Sequence, residues 1–232
     1  MAKTLNYNKE YFNKRDHLDL LIAESIKIFL KEKSLIKILD VGCGTGKLVK
    51  FFNQNDFQAL GCDPSKEAVK MAQKINYPNS IKKARATKLP YKTASFDLVT
   101  SISVIEHLKQ QESAKFLNEA KRVLKPNGYI FIITPNFSSP FRYILGKRWF
   151  AHSDPTHINY FTPKSLKSLL LKSKFKNVTF RLKTAYNVPF DWYLPKPLRK
   201  FPMPAKNLMN YLMISSPLST MRDSLWVLAQ NK

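Results

Sequence analysis

Residues 35–48 read LIKILDVGCGTGKL: a short β-branched run stops at three alternate glycines, Gly42, Gly44 and Gly46, and a helical pattern, KLVKFFNQN, follows. A strand that feeds a helix through so tight a turn belongs to an α/β unit. The alternation continues with FQALGCD (57–63), a helix from Pro64 to Gln73, a short strand candidate SIKKARA (80–86) and SFDLVTSIS (95–103). A helix over 112–124, the turn KPNG and the all-apolar YIFIIT (129–134) complete it. Strands separated by helices pair in parallel through right-handed crossovers, so a doubly wound α/β sheet is predicted. Ahead of it, Leu18, Leu21, Ile22, Ile26, Phe29 and Leu30 recur with a 3.6-residue period and predict an amphipathic helix over 16–33, within an N-terminal helical segment 1–34.

After Pro135 the pattern loosens. Residues 136–161 are rich in aromatics and turn formers, and a helix over 162–173 is expected with Thr162 as cap and Pro163 in its first turn. FKNVTFRLKTA (175–185) alternates like a half-exposed strand, and SLWVLAQ (224–230) reads as the last one. Between them, 186–217 carries six prolines, which predicts no regular element. A chain of 232 residues with 44% hydrophobic content suits a single domain, 1–232. Its binding core is expected over 35–135, with 136–161 and 186–217 as a cap over the acceptor side.

Glycines at alternate positions allow a sharp turn and leave room for a ligand against the backbone, beside a helix N-terminus. The spacing G-x-G-x-G is not the G-x-G-x-x-G of pyrophosphate sites, which argues against a nicotinamide-dependent dehydrogenase. Asp63 ends the second strand about 20 residues later, where a carboxylate can accept hydrogen bonds from ribose hydroxyls, or cap the helix that follows. A nucleoside ligand is expected.

Five ordered segments, ILDVGCGTGKL (38–48), LGCDPSKEAV (60–69), LPYKTASFDLV (89–99), VIEHL (104–108) and RVLKPNGYIFIITPN (122–136), resemble the class I S-adenosylmethionine-dependent methyltransferases, specifically small-molecule enzymes of the ubiquinone-biosynthesis type. DPTHINYFTPKSLKSLL (154–170) resembles the segment after the sheet in the same group. The resemblance implies a Rossmann-like, mostly parallel seven-stranded sheet with an antiparallel last strand and a C-terminal cap. It implies S-adenosyl-L-methionine as cofactor. Gly42, Cys43, Gly44 and Gly46 would lie against its methionine part, Asp40 would orient the amino group and Asp63 would hold the ribose. Ser101, at the edge of the fourth strand, joins the implied contacts. Where the family often presents an acid to adenine, this chain has Arg85, which cannot accept a hydrogen bond; backbone near Ala86 and apolar contact from Pro64 and Leu89 are expected instead. Asn127 stands for a more usual glycine in KPNG, and Asn tolerates the left-handed backbone required there.

Methyl transfer to a hydroxyl needs alignment and a base. The acceptor is expected over the carboxyl ends of the fourth and fifth strands, facing Ser101 to His107 and Pro135-Asn136. Glu106 and His107 are one candidate pair: in ubiquinone-type enzymes a third residue, four before the His, completes what resembles a divalent-metal site. That position is Ser103, so two of three ligands remain and no metal is assigned. His157, in DPTHINYF, is the other candidate base, its ordinary pKa suiting neutral pH. The aromatic-basic stretch 141–150 and the segment 190–218 supply Trp149, Phe150, Trp192, Tyr193 and Tyr211 as ring-stacking or headgroup-seeking residues near Arg142, Arg148, Arg199 and Lys200.

The charge bears on partners. With 39 Lys and Arg against 16 Asp and Glu the net charge is +23, and residues 120–232 hold 19 of the cations but only Asp154, Asp191 and Asp223 as acids. The excess is therefore expected on the cap and acceptor side, where it would suit an anionic membrane surface. A nucleic-acid methyltransferase is a rival reading, but SISVIEH stands where such enzymes often carry N/D-P-P-Y/F, and there is no separate RNA-binding module. A non-catalytic cofactor-binding protein is the third reading, prompted by Arg85 and Ser103. Cys43 and Cys62 cannot make a disulfide framework, no run reaches the ~18–20 apolar residues of a membrane span, and MAKTLNYNKEYFNKRD has no apolar signal core. A cytoplasmic enzyme, at most peripheral to the inner face of the membrane, is expected. Its activity would be O-methylation of a small molecule such as a quinone or lipid precursor or a sugar.

Overall fold

The computed structural model describes residues 12, 17–182 and 200–232. Seven strands, β1 (Lys37–Val41), β2 (Gln58–Asp63), β3 (Ile81–Lys83), β4 (Phe96–Ile102), β5 (Leu124–Pro135), β6 (Phe175–Thr179) and β7 (Ser224–Asn231), make one sheet in the order β3-β2-β1-β4-β5-β7-β6. β1 to β5 pair in parallel, and β7 is antiparallel to both its neighbours, as the resemblance implied. The helices are α1 (Leu20–Glu32), α2 (Lys47–Asn53), α3 (Lys66–Gln73), α4 (Gln110–Val123), α5 (Pro140–Leu145), α6 (Pro163–Lys172) and α7 (Met203–Ser215).

Period-2 alternation divides the strand side chains between two layers. Ile38, Leu98, Phe131 and Trp226 pack with α1, α2 and α3, whereas Leu39, Val99, Ile132 and Val227 pack with α4 and α6. Each such Leu or Ile removed from water contributes about 1.5–3 kcal/mol, so both faces of the sheet are committed to helices. Ligands are left the strand ends. From β1 the chain builds outward to β2 and β3, and from β4 outward in the other direction, so a crevice opens at the carboxyl ends of β1 and β4.

Local chemistry sets the element ends. Asp19 caps α1 by accepting from the Ile22 N–H at 3.1 Å, so the helix begins at Leu20 rather than at 16. Thr162 caps α6 with Pro163 in its first turn, as its sequence indicates. KPNG does turn the chain, but within β5: Leu124 pairs with Phe96 and Tyr129 with Leu98, and the residues between form a bulge in which Asn127 takes φ +62°. The proline-rich segment overturns its expectation. Pro202 and Pro204 sit at the start of α7 and Pro217 after its end, positions where a missing N–H costs nothing, so the prolines bracket a helix instead of breaking one. Strand β6 ends at Thr179, after a register shift between Lys176 and Thr179. Residues 183–185 of the predicted strand, and 186–199 of the predicted cap with Trp192, Tyr193 and Arg199, lie outside the described residues.

Candidate active site

At the crevice, a cavity of about 1140 Å³ is lined from both sides, by the glycine turn and by the turn after β4. The glycines have distinct duties. Gly42 takes φ +76°, and a Cβ there would lie 2.3 Å from Val104 Cγ2, so the β1 turn must be bare to pack on the β4 turn. Gly44 takes φ +51° with nothing within 4 Å of where a Cβ would stand, which leaves its backbone open to a ligand. Cys43 lines the cavity too, but burial raises its thiol pKa well above the ordinary value and pushes Cys62 up to about 12, so both stay protonated and free.

Asp63 lies at the end of β2, 7% exposed, with one oxygen accepting from Gly44 N–H at 3.0 Å and the other from Ser65 N–H at 2.8 Å. Ser65, not Asp63, caps α3, by accepting from Ala68 N–H. Each carboxylate oxygen keeps acceptor capacity for a ribose hydroxyl. Asp40 lines the cavity floor and accepts from the Thr100 hydroxyl at 2.8 Å; burial pushes its carboxyl up to about 7, against the pull of that hydrogen bond. Thr100 escaped the sequence reading because nothing local to β4 marks it. An open backbone, a buried carboxylate for a cationic group and another for a diol fit S-adenosylmethionine.

At the far end of that half, Pro64, Lys83, Ala86 and Thr87 line the cavity. Arg85 lines it as well, its side chain 78% exposed and 3.8 Å from Glu112, so it offers adenine no acceptor. Leu89 packs in the core layer beneath α4 and gives its N–H to Glu119, and is not a wall of the cavity. Ser101 is not one either: it is fully buried inside β4, while Ile102, Ser103 and Val104 form the wall. Asn136 departs from expectation in the same way, buried with its amide donating to the carbonyls of Thr220 and Arg222.

The other half is built from side chains that the chain brings in from far apart. A one-turn helix, Ile105–His107, presents Glu106 and His107, and the loop after β5 returns with His157, whose ring centroid lies 4.8 Å from that of His107. Main-chain bonds hold the loop there: Ile158 and Asn159 both donate to the Glu106 carbonyl at 3.0 Å. Both imidazoles have an assignable tautomer. Thr156 gives its hydroxyl proton to Asp154, so His107 Nδ1 must be the donor to Thr156 Oγ1 at 2.9 Å; His157 Nδ1 meets the Ala151 carbonyl at 2.8 Å and must also donate. In each neutral ring Nε2 then carries the lone pair. Glu106 is 1% exposed; burial, with the charge of Asp154 adding to it, pushes its carboxyl up to about 7, while hydrogen bonds including that from Thr134 at 3.0 Å pull the other way. One ligand atom from each of Glu106, His107 and His157 lies within 4.8 Å of the others, so the third member of a metal-capable group comes from the loop and not from Ser103.

In the cap, Trp149 is fully buried with its indole N–H on Asp223 at 3.0 Å, so it braces the roof, whereas Phe150 is 45% exposed and lines the cavity. The cations that line the cavity among the described residues are Lys47, Lys83 and Arg85, all before residue 119. Of the later ones, Arg122 is bound to Glu119 and to the carbonyls of Leu89 and Tyr91, and Lys125 to Asp97. The C-terminal excess thus does not face the cavity there. No helix of the described residues is long and apolar enough to cross a membrane.

A family model for a methyltransferase domain matches residues 12–179. The ubiquinone biosynthesis O-methyltransferase of Bartonella bacilliformis is 29% identical over 163 residues, 66% of this chain and 64% of that protein. An uncharacterised protein of Methanocaldococcus jannaschii is 29% identical over 176 residues, 74% of this chain and 80% of the other. For the Bartonella protein and two further curated relatives, the match spans 64%, 45% and 47% of their own lengths. Among solved structures, a possible histamine N-methyltransferase of Thermotoga maritima shares the fold with TM-score 0.62 at 17% identity, over 96% of this chain and 94% of that one. A methyltransferase of Archaeoglobus fulgidus does so with TM-score 0.59 at 20% identity, over 90% and 94%. With the sheet order, the glycine turn and the two carboxylates agreeing with a match over well more than half its length, the chain belongs to the S-adenosylmethionine-dependent methyltransferases.

Proposed function

We propose that the protein transfers a methyl group from S-adenosylmethionine to a hydroxyl oxygen of a small molecule, a quinone or lipid precursor or a sugar. The observation that carries this is one continuous cavity with the glycine turn and Asp63 on one wall and His107 and His157 on another. When bound, the cofactor supplies an electrophilic methyl on a cationic sulfur. The turn at Gly42–Gly46 and Asp63 would fix its position, and the open face of Gly44 lets it approach the backbone. Across the cavity, Phe150 and Trp226 offer apolar walls for an acceptor. The acceptor hydroxyl is deprotonated against the Glu106–His107–His157 cluster, where Nε2 is the proton-accepting atom of each neutral ring. Alignment of the two reactants supplies much of the remaining rate.

The O-methyltransferase names of several relatives support the hydroxyl acceptor. Helix α5 presents Tyr143, 70% exposed, and Ile144, 75% exposed, just ahead of exposed Lys147 and Arg148, an apolar and basic edge that suits an anionic lipid surface carrying such an acceptor. The test is to incubate the protein with labelled S-adenosylmethionine and a panel of catechols, hydroxyquinones, lipid precursors and sugars. Methylation of a hydroxyl supports the reading; methylation confined to amines or to RNA overturns it.

A further inference from the structure

Five acids line the cavity among the described residues, Asp19, Asp40, Asp63, Glu112 and Asp154, and four of them have duties already described. Asp40 and Asp63 belong to the glycine-turn wall, Asp19 caps α1, and Asp154 takes the Thr156 hydroxyl beside the histidines. Glu112 remains. It stands in the first turn of α4, where its Oε2 accepts from Lys109 N–H at 3.1 Å and so holds the carboxyl in place. Its Oε1 faces Arg85, 3.8 Å from Nη2 and beyond hydrogen-bond range, and keeps its acceptor capacity. The same contact locates Glu112 along the cavity. Arg85 follows β3, which lies outside β2 and its terminal Asp63, so Arg85 and Glu112 face each other at the end beyond the ribose position.

We propose that Glu112 accepts from the exocyclic amine of the cofactor's adenine, and so selects a 6-aminopurine nucleoside from α4, across the cavity from Arg85. Of the side chains at that end, Lys83 and Arg85 can only donate, Pro64 and Ala86 do neither, and Thr87 brings a neutral hydroxyl; Glu112 brings the carboxylate. Pro64, next to Asp63, and Leu108, just ahead of α4, give the face of a base apolar surface. The acceptor has a fixed seat, because α4 is anchored on the sheet through Phe116, Leu117 and Ala120. A purine with a carbonyl at position 6 would set acceptor against acceptor there and be rejected. This recognition rests on the cofactor named above and is independent of the hydroxyl acceptor.

The test is calorimetry, without acceptor, of two ligands: S-adenosylhomocysteine and its purine-riboside counterpart, which lacks only the 6-amino group. The unaltered protein should prefer the first by about tenfold, the worth of one hydrogen bond to a carboxylate whose side chain is 33% exposed. Glu112→Ala should bring the two affinities within about twofold of each other. Glu112→Gln, which keeps the cap of the first turn and a neutral acceptor, should retain a preference of about threefold. Loss of the cap alone weakens both ligands alike and leaves their ratio untouched, so the ratio separates recognition from folding. No preference in the unaltered protein, or an undiminished one in either variant, would overturn it. A protein that shows the preference yet methylates no hydroxyl keeps the recognition and loses the proposed activity; hydroxyl methylation with a ratio insensitive to Glu112 does the reverse.

Discussion

The two walls of the cavity are made by different means. On the cofactor side the chain itself is the device: alternate glycines, a strand end and a carboxylate that holds the next turn, all within 24 residues from Asp40 to Asp63. On the side proposed for the acceptor the device is a set of side chains from segments about 50 residues apart, Glu106 and His107 at the sheet edge and His157 in the loop, joined by the main-chain bonds of Ile158 and Asn159. Backbone geometry tolerates few substitutions and leaves a mark in local sequence. An assembly of distant side chains can change its chemistry one residue at a time while the frame persists.

That contrast can be broken by substitution. The largest effect is expected on the acceptor side: His107→Ala should lower turnover by about 10²–10⁴-fold with S-adenosylhomocysteine affinity unchanged, by single-turnover kinetics beside calorimetry. Lost cofactor binding in that variant would mean that the two walls are not separable. Next, Gly42→Ala must meet Val104 and hold φ +76°, and should destabilise by about 2–4 kcal/mol in a denaturant titration, whereas Gly44→Ala costs about 1–2 kcal/mol and mainly weakens cofactor binding. Equal stability losses in both would remove the distinction between a packing glycine and a ligand-facing one.

A pH titration probes the floor of the cavity. Asp40 has its carboxyl raised from 3.8 to about 7, so the folded protein holds a proton that the unfolded chain releases, and stability is lost as pH rises through that window and levels off above it. Glu106, raised from 4.5 to about 7, adds to the same fall. Melting temperature should therefore drop between about pH 4 and 7, and Asp40→Asn should flatten part of the drop. A cationic ligand favours the ionised Asp40, so S-adenosylmethionine should bind more tightly at pH 8 than at pH 6, and the variant should lose that gain. The smallest effect is expected at α5: Tyr143→Ser with Ile144→Ser should reduce co-sedimentation with anionic vesicles less than tenfold and leave methylation of a soluble acceptor unchanged.

What the sequence disclosed follows the same division. The strand–glycine–helix unit, the second-strand Asp63 and the order of elements through β5 were legible because each is written in a few adjacent residues. Ser101 was misplaced because it lies inside β4, buried like Thr100 before it, whereas the wall is made where the strand ends, by Ile102 and Ser103. Helix α7 was hidden because prolines at its ends look like prolines in its middle until the ends are known. The partnership of His157 with Glu106 depends on a loop return that no local pattern encodes, and so does the burial of Trp149 on Asp223. Net charge does not separate such cations: Arg122 and Lys125 count toward +23 yet are occupied in holding the sheet and its helices together, whereas Lys147 and Arg148 of the cap are exposed.

Asp223 has a mechanical consequence. Its side chain takes the Ser139 hydroxyl and the Trp149 indole, and its carbonyl takes the Asn136 N–H, so the start of the roof is tied to the strand that ends the chain. The far end of the same roof is tied at Ile158 and Asn159. A strap fastened at both ends cannot swing aside like a flap; it can only bow. For the acceptor proposed to pass beneath it, the slack of chain between Trp149 and Ile158 would set the girth admitted, and insertions there would widen the substrate range with the chemical groups left in place.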